Sequence, residues 1–96
     1  MKIQITQSAY CDIESGASFY EAQGKGLGTY FLDSIFSDID SLLLYAGVHK
    51  IQYGKYRLLS QKFPYAIYYE FHDKYVVVVA VLDCRRNPEW IKKKLK

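Results

Sequence analysis

The eight residues Tyr75–Leu82, "YVVVVAVL", constrain the fold of this 96-residue chain more than any other feature. A strand with one wet face alternates apolar and polar residues, whereas this run is apolar at both parities and reads as an inner strand covered on both sides. The stretch before it does alternate. Tyr65, Ile67, Tyr69 and Phe71 fall at one parity and Ala66, Tyr68, Glu70 and His72 at the other, so the strand has two different faces. "HDK", residues 72–74, supplies a tight turn between the two, and Tyr56–Leu59 reads as a further short strand ahead of Pro64. These three strands make an antiparallel meander. Asn87 and Pro88 then read as cap and first position of a closing helix, "PEWIKKKLK".

An apolar sheet needs a covering layer, and the first half of the chain supplies one. "KIQIT", residues 2–6, alternates like a half-buried strand, and Ser8 is placed to cap the helix that follows. Ala9, Ile13, Ala17 and Tyr20 recur at intervals of three and four, giving a helix over residues 9–22 with one buried face. Gly24 terminates it within "GKGLG". Those glycines do not form a phosphate cradle, because the Lys-Ser/Thr pair that must follow the last glycine of such a loop is replaced by Thr29 and Tyr30, and no Val/Ile-rich strand leads in. Leu27, Phe31, Ile35, Ile39, Leu42, Leu43 and Ala46 predict a second, longer helix, and the short turn makes the pair an antiparallel hairpin. Residues 47–55 read as a connecting loop. The expectation is one α+β domain spanning residues 1–96: an N-terminal strand, an antiparallel helical hairpin packed on a small antiparallel sheet (β-α-α-β-β-β), and a short C-terminal helix.

Composition narrows the function classes. No window reaches the ~18 apolar residues of a membrane span, and residues 1–10 lack the apolar centre of a secretory signal. The expected setting is a soluble, cytoplasmic protein with no membrane partner. Cys11 and Cys84 are far apart and lack metal-ligand spacing, so no structural metal, metal site or cofactor is expected. Residues 1–40 carry two basic and six acidic side chains, a net of −4, while residues 41–96 carry eleven basic and four acidic, a net of +7. The positive field belongs to the second half.

Groups for general acid or base chemistry are scarce. His49 and His72 fall in no metal or catalytic pattern and read as solvent-facing bystanders, and Asp38 and Asp40 point to different sides of their helix. Cations and aromatics remain. Arg57, Lys62, Arg85, Arg86, Lys92, Lys93, Lys94 and Lys96 are interleaved with Tyr65, Tyr68, Tyr69, Tyr75 and Trp90, a pattern that suits phosphate neutralisation with base stacking. The same residues admit a plainer reading, in which the arginines end a buried strand by reaching water, the tyrosines are packing and the lysines a solubilising tail.

Three segments, "FYEAQGKGLG", "KFPYAIYY" and "AVLDCRRNP", carry a resemblance to the RelE/ParE superfamily of bacterial toxins from type II toxin–antitoxin pairs, and it extends over nearly the whole chain. It implies the same helical hairpin on a small antiparallel sheet that the periodicity predicts. It also implies growth inhibition, plasmid stabilisation and neutralisation by a cognate antitoxin. RelE-type members cut mRNA on the ribosome without a metal, using basic and tyrosine side chains; ParE-type members poison DNA gyrase and are not nucleases.

Aligned with RelE-type toxins, a catalytic arginine of the central strands falls here at Ala66, which cannot stabilise an anionic phosphorane. Arg86 matches another catalytic arginine and Arg57 a basic position, while the C-terminal tyrosine has only Trp90 and Lys92 near it. The resemblance therefore points to the ParE-like branch and to DNA gyrase as partner. On that reading Arg57, Arg85, Arg86, Trp90, Lys92, Lys93 and Lys94 bind the target, and residues 88–96 are dispensable for folding. The alternative is a metal-independent endoribonuclease acting on ribosome and mRNA through Arg57, Arg86, Lys62 and Tyr68. In ParE-like members a histidine often stands where Asp83 stands here. Its carboxylate is placed to pair with Arg85, which makes Arg86 the better candidate of the two arginines.

Overall fold

A computed structural model describes all of residues 1–96. Its elements run β1 (Lys2–Ile5), α1 (Gln7–Gln23), α2 (Leu27–Asp40), α3 (Leu42–Tyr45), β2 (Lys50–Gln52), β3 (Lys55–Leu59), β4 (Tyr65–His72), β5 (Tyr75–Asp83) and α4 (Pro88–Lys94). The strands form a single sheet in the order β1-β5-β4-β3-β2. β2 to β5 are antiparallel neighbours, and β1 joins the β5 edge in parallel, Lys2 opposite Tyr75 and Ile5 opposite Val78. The strand-hairpin-meander architecture expected from the sequence is the one observed.

β5 is an inner strand with both faces covered, as its composition requires. On the front, Tyr65, Ile67, Tyr69, Val76, Val78 and Val81 pack against Ala9, Ile13, Phe31, Ile35, Ile39 and Leu42 of the helices. On the back, Ala66, Tyr68, Ala80 and Leu82 pack under Ile91 of α4. The change of parity between Val78 and Val81 comes from a bulge. Tyr68 pairs with Ala80 and Tyr69 with Val78, so Val79 is an extra residue that turns the last third of β5 over.

Local chemistry corrects four details. Thr6, not Ser8, caps α1: its hydroxyl accepts the Ala9 N–H at 3.1 Å, two residues earlier than expected. The second helix does not run unbroken to Ala46. It stops at Asp40, where the Ser41 hydroxyl donates back to the Asp38 carbonyl at 2.6 Å, and the four-residue α3 leaves Leu43 50% exposed. The segment 47–55 contains β2 and a tight turn at Tyr53 and Gly54, both with positive φ, so it is a hairpin onto β3 and not a plain loop. His49 is no bystander: half-buried, it is hydrogen-bonded to the Tyr69 hydroxyl, which also accepts the Gly47 N–H at 3.0 Å.

The glycine run between the helices holds an anion of the chain's own. Gly26 adopts φ 88°, and the N–H groups of Gly26 and Gly28 donate to the Glu21 carboxylate at 2.9 to 3.2 Å. Glu21 thereby satisfies the free donors at the start of α2. A Cβ on Gly28 would lie 2.8 Å from the Ala17 carbonyl oxygen, so the close approach of the two helices requires glycine there. No helix is long and apolar enough to cross a membrane.

Candidate functional site

The "CRR" turn separates two arginines by giving each a different partner. Arg85 folds back on Asp83: Nε and Nη2 donate to the two carboxylate oxygens at 3.0 and 2.8 Å, and its backbone N–H adds a third bond at 2.8 Å. These bonds hold the Asp83 carboxyl below its ordinary range and raise Arg85. The pairing anticipated across this strand end is present, and Arg85 is committed to it. Arg86 instead lies over the Trp90 ring, 3.9 Å from its centroid, with the Lys94 ammonium 5.8 Å from the same ring.

α4 makes this arrangement possible. The Asn87 side chain accepts the Glu89 N–H at 2.8 Å, Pro88 takes the first turn, and Ile91 is inserted over Ala66, Tyr68, Ala80 and Leu82. Trp90 packs at the margin of that cluster, which fixes the indole as a platform. The helix is part of the core, so removing residues 88–96 would strip the back face of its cover. The expectation that this segment is dispensable for folding is corrected on that ground.

Beside Arg86 a cleft of about 420 Å³ opens between α1 and α4. Asp12, Ser15 and Phe19 line one wall, Trp90 and Lys94 the other, and the end of β5 from Val81 to Asp83 lies along its floor. The floor is a strand edge. β1 ends opposite Val78, so beyond that point the outer side of β5 has no strand neighbour. Asp12 occupies part of this edge by accepting the Val81 N–H at 3.1 Å. Burial pushes its carboxyl above the ordinary value, against the pull of that hydrogen bond and of Lys94.

The other candidate residues lie elsewhere. Arg57, on the back face of β3, is held by Tyr68 and Cys84: Nε donates to the Tyr68 hydroxyl at 3.3 Å and Nη2 to the Cys84 sulfur at 3.7 Å. Tyr68 is 1% exposed, and burial raises its phenol above the ordinary value. Ala66 is fully buried beneath α4. Lys62 sits 5.3 Å from the Tyr30 ring, beside a second cleft at α2. Lys92 and Lys93 are exposed on α4 and do not line the Arg86 cleft. The structure thus brings Arg86, Trp90 and Lys94 together at one cleft, which Arg57, Lys62 and Tyr68 do not line, although Tyr68 belongs to the buried cluster that Trp90 borders. No three His, Cys, Asp or Glu side chains gather to hold a metal ion.

Sequence reasoning missed the contribution of α1 to the cleft. Two signals were available: Phe19 is an aromatic residue off the buried stripe of its helix, and Gly16 is a mid-helix glycine. A Cβ at Gly16 would lie 2.6 and 2.7 Å from two Phe31 ring carbons, so this glycine allows the ring to pack against α1.

No protein-family model and no curated protein matches the chain. Among solved structures it is similar to a chain of the chromosomal ParDE TA system from P. aeruginosa, with a TM-score of 0.74 and 15% sequence identity. The match covers 84% of this chain and 92% of that one. The likeness is one of fold, and the fold is RelE/ParE-like.

Proposed function

We propose that this chain is the toxin of a type II toxin–antitoxin pair, ParE-like in action, arresting growth by binding DNA gyrase and silenced by a cognate antitoxin. The observation that carries the choice of branch is the back face beneath α4. Where the resemblance to RelE-type nucleases calls for an arginine, Ala66 is buried under Ile91, and the neighbouring phenol, Tyr68, is enclosed. A phosphoryl-transfer site needs cations aimed at the developing charge and an acid or base within reach of the substrate. Arg57 stands there without a second cation at Ala66. Target recognition falls to Arg86 on its Trp90 platform, with Lys94 beside it and Lys92 and Lys93 exposed on the same helix. The basic second half suits an acidic, extended antitoxin segment that folds on binding.

Inhibition of gyrase supercoiling by the purified protein, with trapped DNA breaks, tests this reading. A second reading, the ribosome-dependent endoribonuclease, draws on the Arg57–Tyr68 hydrogen bond, a cation beside a phenol on the sheet's back face. It predicts discrete mRNA cuts on programmed ribosomes that disappear in Arg57→Ala.

A further inference from the structure

We propose that the cleft between α1 and α4 binds a nucleotide, its phosphate on Arg86 and Lys94 and its base against the Arg86–Trp90 stack and Phe19. The inference concerns the surface assigned above to target recognition, but it rests on the cleft alone and does not require toxicity.

Four features converge on this ligand. The volume, about 420 Å³, lies within the range of small-molecule sites and suits one nucleotide. Two cations, Arg86 and Lys94, face it, while the charge of Asp83 is already matched by Arg85, leaving Asp12 as the one acid not so paired along the walls. The platforms are flat. Arg86 lies on Trp90, and a guanidinium plane backed by an aromatic ring is a stacking surface for a base; Phe19, 51% exposed, offers a second π-face from α1.

The floor offers groups that read a base edge. The Cys84 N–H is donated toward β4, to Pro64 O at 2.8 Å, so by the alternation of a strand the N–H groups of Val81 and Asp83 point to the open side. Asp12 takes the first, and the second lies along the cleft. Asp12 itself is an acceptor for an exocyclic amine or a ribose hydroxyl. An acidic peptide would use the two cations and leave both flat surfaces unused, so the nucleotide is the better fit. Free nucleotide and an unstacked nucleotide of a single strand present this same chemistry.

Trp90 is the only tryptophan, so its fluorescence reports occupancy of the cleft directly. The titrants are AMP, a short single-stranded oligonucleotide, inorganic phosphate and poly-glutamate. The expected result is a saturable change with AMP or the oligonucleotide, with a midpoint at or below about 1 mM. Arg86→Gln should weaken it at least about tenfold while shifting the melting temperature by no more than a few degrees, the scale of one exposed cation–π contact. Preference for the oligonucleotide would assign the site to a nucleic acid strand, and preference for AMP to a free nucleotide; both support the proposal. No change up to about 10 mM, phosphate or poly-glutamate matching AMP, or Arg86→Gln binding as the wild type does would overturn it.

Discussion

Arg86 rests 3.9 Å above the Trp90 ring, and this stack leaves a cation at the rim of the molecule with one face open. Its neighbour Arg85, although its side chain is 60% exposed, has Nε and Nη2 engaged by the Asp83 carboxylate. Two adjacent arginines of equal charge therefore have unequal availability.

The first prediction follows from that inequality. If Arg86 meets the target, Arg86→Ala should raise the protein concentration needed for half-maximal growth arrest or gyrase inhibition by at least about tenfold, the scale of one lost charge-assisted contact. Arg85→Ala should stay within about twofold. Equal losses for the two variants would remove the distinction drawn from their partners.

Asp12 gives a prediction about stability with a sign that depends on pH. Its folded carboxyl is raised by burial, so ionisation costs stability as pH rises through the ordinary value of 3.8 and on through the raised folded one. Asp12→Asn keeps an acceptor for the Val81 N–H without the charge, and should melt at or above the wild-type temperature at neutral pH, the gain vanishing below about pH 3.8. Asp12→Ala leaves the N–H unpaired and should cost about 1–2 kcal/mol in denaturant unfolding.

Gly16→Ala should destabilise the fold by about 1–3 kcal/mol, because the added carbon meets the fully buried Phe31 ring. Gly54→Ala provides the contrast: nothing lies within 4 Å, and its cost arises only from φ 81°. Thermal melts of the two variants separate packing from backbone conformation.

His49 couples the segment leading into β2 to pH. Desolvation lowers its folded value below the ordinary 6.5, so its neutral form belongs to the native state. The sign is that of a depressed base: stability is complete above about 6.5 and declines as pH falls through the folded value. His49→Gln should flatten that decline in melting temperature between about pH 7.5 and 5.5, and an unchanged slope would exclude His49 as its source.

What was legible in the sequence and what was not divides by distance along the chain. The double-sided strand Tyr75–Leu82, the Asn87–Pro88 helix start and the Asp83–Arg85 pair are local patterns, and each is present. The parallel docking of β1 on β5, the bulge at Val79 and the hydrogen bond from Val81 to Asp12 depend on residues roughly seventy positions apart or on register across the sheet. The break at Ser41 was hidden because Leu42, Leu43 and Ala46 continue the helical period, although only Leu42 is buried. In the candidate site, Arg86 and Trp90 are four residues apart and could be paired by eye. Asp12 and Phe19 could not, since only tertiary packing brings α1 beside α4.

The most direct measurement is a gyrase supercoiling assay with the purified protein, read also for cleavage complexes, comparing wild type with Arg86→Ala. The account predicts inhibition with trapped breaks by the wild type, weakened at least about tenfold by the substitution. Undiminished supercoiling at high protein concentration, together with discrete mRNA cuts on programmed ribosomes, would contradict it.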